Sequence, residues 1–268
     1  MMEVTLWKKD IPYTTEGADS PNCMTVHLLD GDESRPCVVV LPGGGYHMRA
    51  AHEGKPIAEF FNSRGMHAAV VEYRVVPNRF PSGLADVQRA VRILRANAGQ
   101  WHIDADRVMV CGFSAGGHLA ASSILWEDVL AADGISDPYA PISCRPNGAI
   151  LCYPVISVEE EYGHTGSGKN LLGGERWQTD AAKFSLQNHV TAETPKVFLW
   201  HTSDDSCVNV KNSLFFAEKL RDNGIPFELH IYPQGSHGLG LASNRPDVSG
   251  WADLAADWIL RNFAKQEQ

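Results

Sequence analysis

Hydrophobic positions along the chain fall into two kinds of stretch that take turns. The runs Cys37-Val38-Val39-Val40-Leu41, Ala68-Ala69-Val70-Val71 and Val197-Phe198-Leu199-Trp200 are almost continuously apolar. That is the pattern of strands covered on both faces. Strands are predicted over 3–7, 24–29, 37–41, 67–73, 107–112, 147–152, 196–201 and 227–232. The first two mix or alternate polar and apolar residues, which suits an antiparallel edge. Between the runs the period lengthens. Residues 55–64 gather Ile57, Ala58, Phe60 and Phe61 on one side, and 84–98 place Val87, Ala90, Val91 and Leu94 at i, i+3, i+4 and i+7. Arg89, Arg92 and Arg95 fall away from that stripe and are expected on a solvated face. Two more helices are expected over 210–222 and 250–264, with Asn223-Gly224 stopping the first. Strand and helix in alternation predict an α/β fold, an eight-stranded, mostly parallel sheet flanked by helices. No repeat or linker divides residues 1–268, so one domain is expected. The longest irregular stretch, 153–195, is expected to be a lid or substrate-contact insertion.

Composition narrows the partners more than the fold. At 268 residues the chain can bury a large core, and its net charge of −9 argues against a nucleic-acid or anionic-membrane surface. No stretch reaches the roughly 18 apolar residues of a membrane span. Residues 1–10 show no apolar signal core, and six cysteines form no C-x-x-C pair. Free thiols and a reducing, cytoplasmic setting are therefore expected.

One stretch carries specific chemistry. Gly112-Phe113-Ser114-Ala115-Gly116-Gly117 follows the apolar run Arg107–Cys111 and opens a helical one, His118–Trp126. Strand, sharp turn and helix around G-x-S-x-G make a nucleophile elbow, in which the serine sits at a strained backbone angle. The glycines let strand and helix pass closely, and the amide of Ala115 can face a developing oxyanion. A serine hydroxyl needs a base, and the base an orienting acid. In α/β-hydrolases these follow in the order Ser, Asp or Glu, His. After the seventh strand, Asp204 and Asp205 compete. Asp205 is favoured, since it stands three residues before Val208 in a D-x-x-V turn, with Asp204 capping that turn. After the eighth strand comes Gly235-Ser236-His237-Gly238, whose small neighbours free His237 to act as base. His118, on the elbow helix, is expected to pack or bond locally. The loop after the third strand, Pro42-Gly43-Gly44-Gly45-Tyr46, offers backbone donors at Gly44 and Gly45 for an oxyanion hole. Gly163–Asn170 nearly spells a phosphate-binding loop, but Asn170 replaces the required hydroxyl and no apolar strand precedes it. H-E-x-x-H is absent, and no cofactor or metal is expected.

Together with Tyr73-Arg74, Asn170-Leu171-Leu172-Gly173, Trp200-His201 and Ser236-His237-Gly238-Leu239, these motifs resemble α/β-hydrolase-fold esterases of the hormone-sensitive-lipase-like and acetylxylan-esterase-like kind, over nearly the whole chain. The resemblance implies a Ser114–Asp205–His237 triad and an oxyanion hole of Gly44, Gly45 and Ala115. It also implies acetyl esterase activity on acetylated sugars or oligosaccharides, with a homodimer in some members. Tyr46 and Phe113 are candidates to shorten the acyl pocket, and Tyr46, His47, Trp126 and Trp200 to stack on a sugar. A feruloyl-type esterase, a prolyl-oligopeptidase-like peptidase and a non-catalytic hydrolase-fold binding protein remain as alternatives.

Overall fold

The computed structural model describes residues 1–18 and 21–264. In chain order come β1 (Met2–Thr5), β2 (Cys23–His27), β3 (Arg35–Leu41), α1 (Lys55–Ser63), β4 (His67–Val71), α2 (Ser82–Ala96), β5 (Ile103–Phe113), α3 (Ala115–Leu125) and α4 (Val129–Ala132). Then follow β6 (Gly148–Cys152), α5 (Thr165–Leu172), α6 (Gly174–Asp180), β7 (Lys196–Thr202), α7 (Lys211–Asp222), β8 (Phe227–Tyr232) and α8 (Trp251–Asn262). Among the described residues, eight strands form one sheet in the order β1-β2-β4-β3-β5-β6-β7-β8. The pairings of β2 with β1 and β4 are antiparallel and the rest parallel.

The apolar runs fill both faces. In β3, Cys37, Val39 and Leu41 enter one core while Val38 and Val40 enter the other, as a period of two requires. α2, α3 and α7 cover the first face and α1 and α8 the second. The parallel register aligns the carboxyl ends of five strands: Leu41 pairs with Gly112, Phe113 with Cys152, Cys152 with Trp200 and Thr202 with Tyr232. The loops that leave these ends therefore share one edge, where α/β sheets carry their sites.

The arginine stripe departs from expectation. Arg89 and Arg92 are buried, not solvated. Arg89 pairs with Asp137 at 3.0 Å, and Arg92 with Asp128 at 2.5 Å and Asp137 at 3.2 Å. Arg95, half-buried, donates to the carbonyls of Ala105, Ser143 and Arg145. The segment between α3 and β6 lies over α2 and, together with the Ala105 carbonyl of β5, supplies the carboxylates and carbonyls that such burial demands. The stretch 153–195 is also more ordered than its pattern suggests. It holds α5, α6 and two 3-10 turns, Ala181–Phe184 and Leu186–His189. All six cysteines are free. Among the described residues no helix is long and apolar enough to cross a membrane.

Candidate active site

The turn between β5 and α3 holds Ser114 at φ 53° and ψ −119°. Left-handed backbone at a non-glycine costs about 1–3 kcal/mol and persists only where its surroundings over-determine it. Here they do. The Ser114 amide donates to the Cys152 carbonyl at 3.0 Å, and its own carbonyl accepts from His118 at 3.1 Å and Val155 at 3.0 Å. The glycines are dictated by contact. A Cβ at position 112 would stand 2.2 Å from the Gly116 oxygen, and one at position 116 would stand 2.2 Å from the Leu41 oxygen.

The strained turn aims the hydroxyl at His237. Ser114 Oγ lies 2.8 Å from His237 Nε2, and His237 Nδ1 lies 2.7 Å from Asp205 Oδ2. Because Nδ1 faces a carboxylate it carries the ring proton, which leaves Nε2 to accept from the hydroxyl. Asp205 is held on every side. Its Oδ1 accepts the amides of Cys207 and Val208, both at 2.9 Å, and its Oδ2 lies 3.4 Å from His201 Nε2. Burial raises the Asp205 carboxyl, but hydrogen bonds from His201, His237 and the Val208 amide outweigh burial and hold it well below the ordinary carboxylate range. Asp204 does not cap that turn, whose amides Asp205 itself accepts; its Oδ1 instead accepts the Gly235 amide at 2.7 Å and pins the loop that carries His237.

Ala115 is the first residue of α3, so its amide has no intrahelical acceptor and opens beside Ser114. The facing loop is held by its carbonyls. The Gly43 carbonyl accepts from Ala50 at 2.9 Å, and the Gly44 carbonyl from His47 at 2.9 Å and Met48 at 3.1 Å. Each carbonyl fixes its own peptide plane and thereby the direction of the next amide, those of Gly44 and Gly45. Gly44 adopts φ 131°, and a Cβ there would meet the Met48 oxygen at 2.3 Å.

The 153–195 segment docks on both halves of this site. Asn170 Nδ2 donates to the Gly45 carbonyl at 2.9 Å. At the other end of α5, His164 caps the helix by accepting the Ser167 amide, and its Nε2 lies 3.8 Å from Cys207 Sγ. Burial and the nearby His237 lower the His164 pKa. The near-phosphate loop is thus helix and cap, with Lys169 over the Trp177 ring at 4.5 Å.

The predicted substrate contacts divide. Phe113 and Trp200 are fully buried on the α1–α8 face of the sheet, where Trp200 stacks on Trp251 and Phe113 packs against Tyr153 and Trp251. Neither can touch a ligand, because strand alternation turns both into the core. Tyr46 is buried too, with its hydroxyl 2.8 Å from His118 Nδ1. His47 is exposed, and Trp126 is half-buried against Phe80, Phe184 and His189. His118 is wholly buried and bonds Tyr46 and the Phe184 carbonyl, as local packing predicts. Two residues at the site escape sequence reading. Glu53 accepts the Gly43 amide at 2.7 Å, and Tyr153 packs its ring edge-on to His237 with centroids 5.0 Å apart. Tyr153 directly follows a predicted strand, a position that could have flagged it; nothing in its neighbours marks Glu53. Among the described residues no three His, Cys, Asp or Glu side chains are arranged to hold a metal ion.

Residues 26–220 match the BD-FAE family model. The chain is 41% identical over 255 residues to endo-1,4-beta-xylanase B of Butyrivibrio fibrisolvens, an alignment covering 92% of this chain and 39% of that protein. It is 33% identical over 236 residues to acetylxylan esterase of Xylanibacter ruminicola, covering 86% of this chain and 46% of that protein. The chain thus spans less than half the length of these two relatives. Among solved structures, the acetyl ester-xyloside bifunctional hydrolase of Caldicellulosiruptor lactoaceticus is similar at 42% identity and a TM-score of 0.90, with 97% of this chain and 96% of that one covered.

Proposed function

The chain belongs to the BD-FAE family, and from that premise we propose that it is a serine carboxylic-ester hydrolase acting on short-acyl, chiefly acetyl, esters of sugars or oligosaccharides. The observation that carries this reading is the continuous hydrogen-bonded line from Ser114 Oγ through His237 to Asp205, with spans of 2.8 and 2.7 Å. In the proposed reaction, Ser114 Oγ attacks the ester carbonyl while its proton passes to His237 Nε2. Asp205 holds the ring and stabilises the imidazolium that forms. The amides of Gly44, Gly45 and Ala115 receive the oxyanion. The tetrahedral intermediate collapses, the C–O bond to the alcohol breaks, and His237 returns the proton to that oxygen. Water then repeats the cycle on the acetyl-enzyme, releasing acetate and restoring Ser114.

The substrate class is supported by the relatives. One is an acetylxylan esterase and another acts on acetyl esters and xylosides, which favours acetylated xylo-oligosaccharides. Hydrolysis of p-nitrophenyl acetate, butyrate, octanoate and ferulate, by wild type and Ser114→Ala in parallel, tests the reading. Fast acetate turnover that falls steeply with chain length and vanishes in the variant is expected. A preference for ferulate would overturn the short-acyl assignment, and activity that survives Ser114→Ala would overturn the mechanism.

A further inference from the structure

Glu53 ends the 3-10 turn Ala51–Glu53 and is 2% exposed. A buried carboxylate is costly unless its lone pairs are used. The neighbouring His52 Nε2 lies 3.7 Å away on a side chain that is 57% exposed, so most of the compensation comes from neutral donors. Oε2 accepts the Gly43 amide at 2.7 Å and Oε1 accepts the Tyr153 hydroxyl at 2.6 Å. The Tyr153 oxygen in turn accepts the Gly240 amide at 2.9 Å, so its single hydrogen is committed to Glu53. Burial and the charge of Glu53 push the Tyr153 phenol well above its ordinary range, which keeps that hydrogen in place.

These bonds join two loops that sequence keeps far apart. Gly43 opens the glycine run whose next two amides are the proposed oxyanion donors. Gly240 lies three residues beyond His237, and its carbonyl is fixed by Trp251 Nε1 at 3.0 Å. His52 adds a bond from Nε2 to the Gly238 carbonyl at 2.9 Å. The fit is tight: a Cβ on Gly43 would stand 2.8 Å from Glu53 Oε2 and 2.9 Å from Ser114 Cβ. On the other side of the same peptide, the Pro42 carbonyl accepts the Tyr73 hydroxyl at 2.5 Å. We propose that Glu53 is a positioning residue for acyl transfer, setting the oxyanion amides through Gly43 and the His237 loop through Tyr153. This rests on the Ser114 reading above. Donors aimed at an oxyanion act in the transition state, so their misplacement lowers kcat more than it raises KM.

Glu53→Gln keeps the shape but leaves one acceptor oxygen for two donors. With p-nitrophenyl acetate, and with active sites counted by a fluorophosphonate, it is expected to lower kcat by roughly 10- to 100-fold and to change KM by less than about threefold. Tyr153→Phe removes one arm and is expected to cost about 3- to 10-fold in kcat. The double variant should be about as active as Glu53→Gln alone, because both arms act through one carboxylate. If Glu53→Gln does not fold, Tyr153→Phe decides by the same split between kcat and KM. A kcat per titrated site within twofold of wild type, even with a lowered Tm, would overturn the proposal. A wild type that neither labels nor turns over would overturn the Ser114 reading and this inference with it. That result is distinct from a labelled, active wild type whose Glu53→Gln variant keeps its kcat.

Discussion

Two adjacent carboxylates at the end of β7 have different work because their surroundings differ. Both carboxylate oxygens of Asp205 are engaged: Oδ1 accepts two amides, and Oδ2 faces His237 at 2.7 Å with His201 3.4 Å away. An amide side chain there would turn an NH2 group toward at least one of those donors. Asp205→Asn is therefore expected to lower kcat by roughly 10³- to 10⁴-fold, the scale for neutralising a triad acid. Asp204→Asn keeps an oxygen for the Gly235 amide and should retain most activity. Steady-state kinetics on p-nitrophenyl acetate check both, and equal losses would contradict the assignment. The D-x-x-V spacing that favours Asp205 has a physical basis in the bond from its carboxylate to the Val208 amide at 2.9 Å. Ser114 and His237 are legible for a similar reason, since glycine-lined turns after strands are local chemistry. Glu53 and Tyr153 are not, because their meaning lies in a contact across 100 residues.

Among the elements, periodicity reports which residues share a face but not what covers it. The stripe of α2 is read correctly as amphipathic, yet its arginines are buried, because residues between α3 and β6 fold over them and carry no period of their own. The same limit applies to 153–195, whose short helices α5 and α6 have too few turns to show a stripe. Phe113 and Trp200 show the opposite case. Their alternation with Gly112 and Leu199 in parallel strands already places them in the core. Aromatic character suggests a sugar contact only where the strand position leaves the ring free. What the sheet order adds is adjacency. β3, β5, β6, β7 and β8 stand side by side, so the loops bearing Gly44, Ser114, Tyr153, Asp205 and His237 converge although they span nearly 200 residues.

The stability of the whole molecule should depend on acid through its buried histidines. His118 is lowered to about 4 by burial, and burial also lowers His27, His67 and His164. Each holds a proton less readily in the fold than in the unfolded chain, whose imidazoles take one up below about pH 6.5. Their contribution is complete above that value and is lost as pH falls toward each folded pKa. For His118 alone the loss between pH 7 and pH 5 is on the order of 2 kcal/mol. Below about pH 4, protonation of Asp205, whose folded value is depressed, adds a further loss. Urea unfolding at pH 7, 6 and 5 should show this slope, and His118→Gln should flatten it. An unchanged slope in the variant would contradict the linkage. For the molecule as an enzyme, the decisive measurement is the site of covalent capture. Wild-type protein is treated with a fluorophosphonate while p-nitrophenyl acetate hydrolysis is followed, and the adduct is mapped by mass spectrometry. One adduct per chain on Ser114, with activity falling in proportion to labelling, is the expected result. An adduct elsewhere, or esterase activity that survives complete labelling of Ser114, would contradict the acyl-enzyme mechanism.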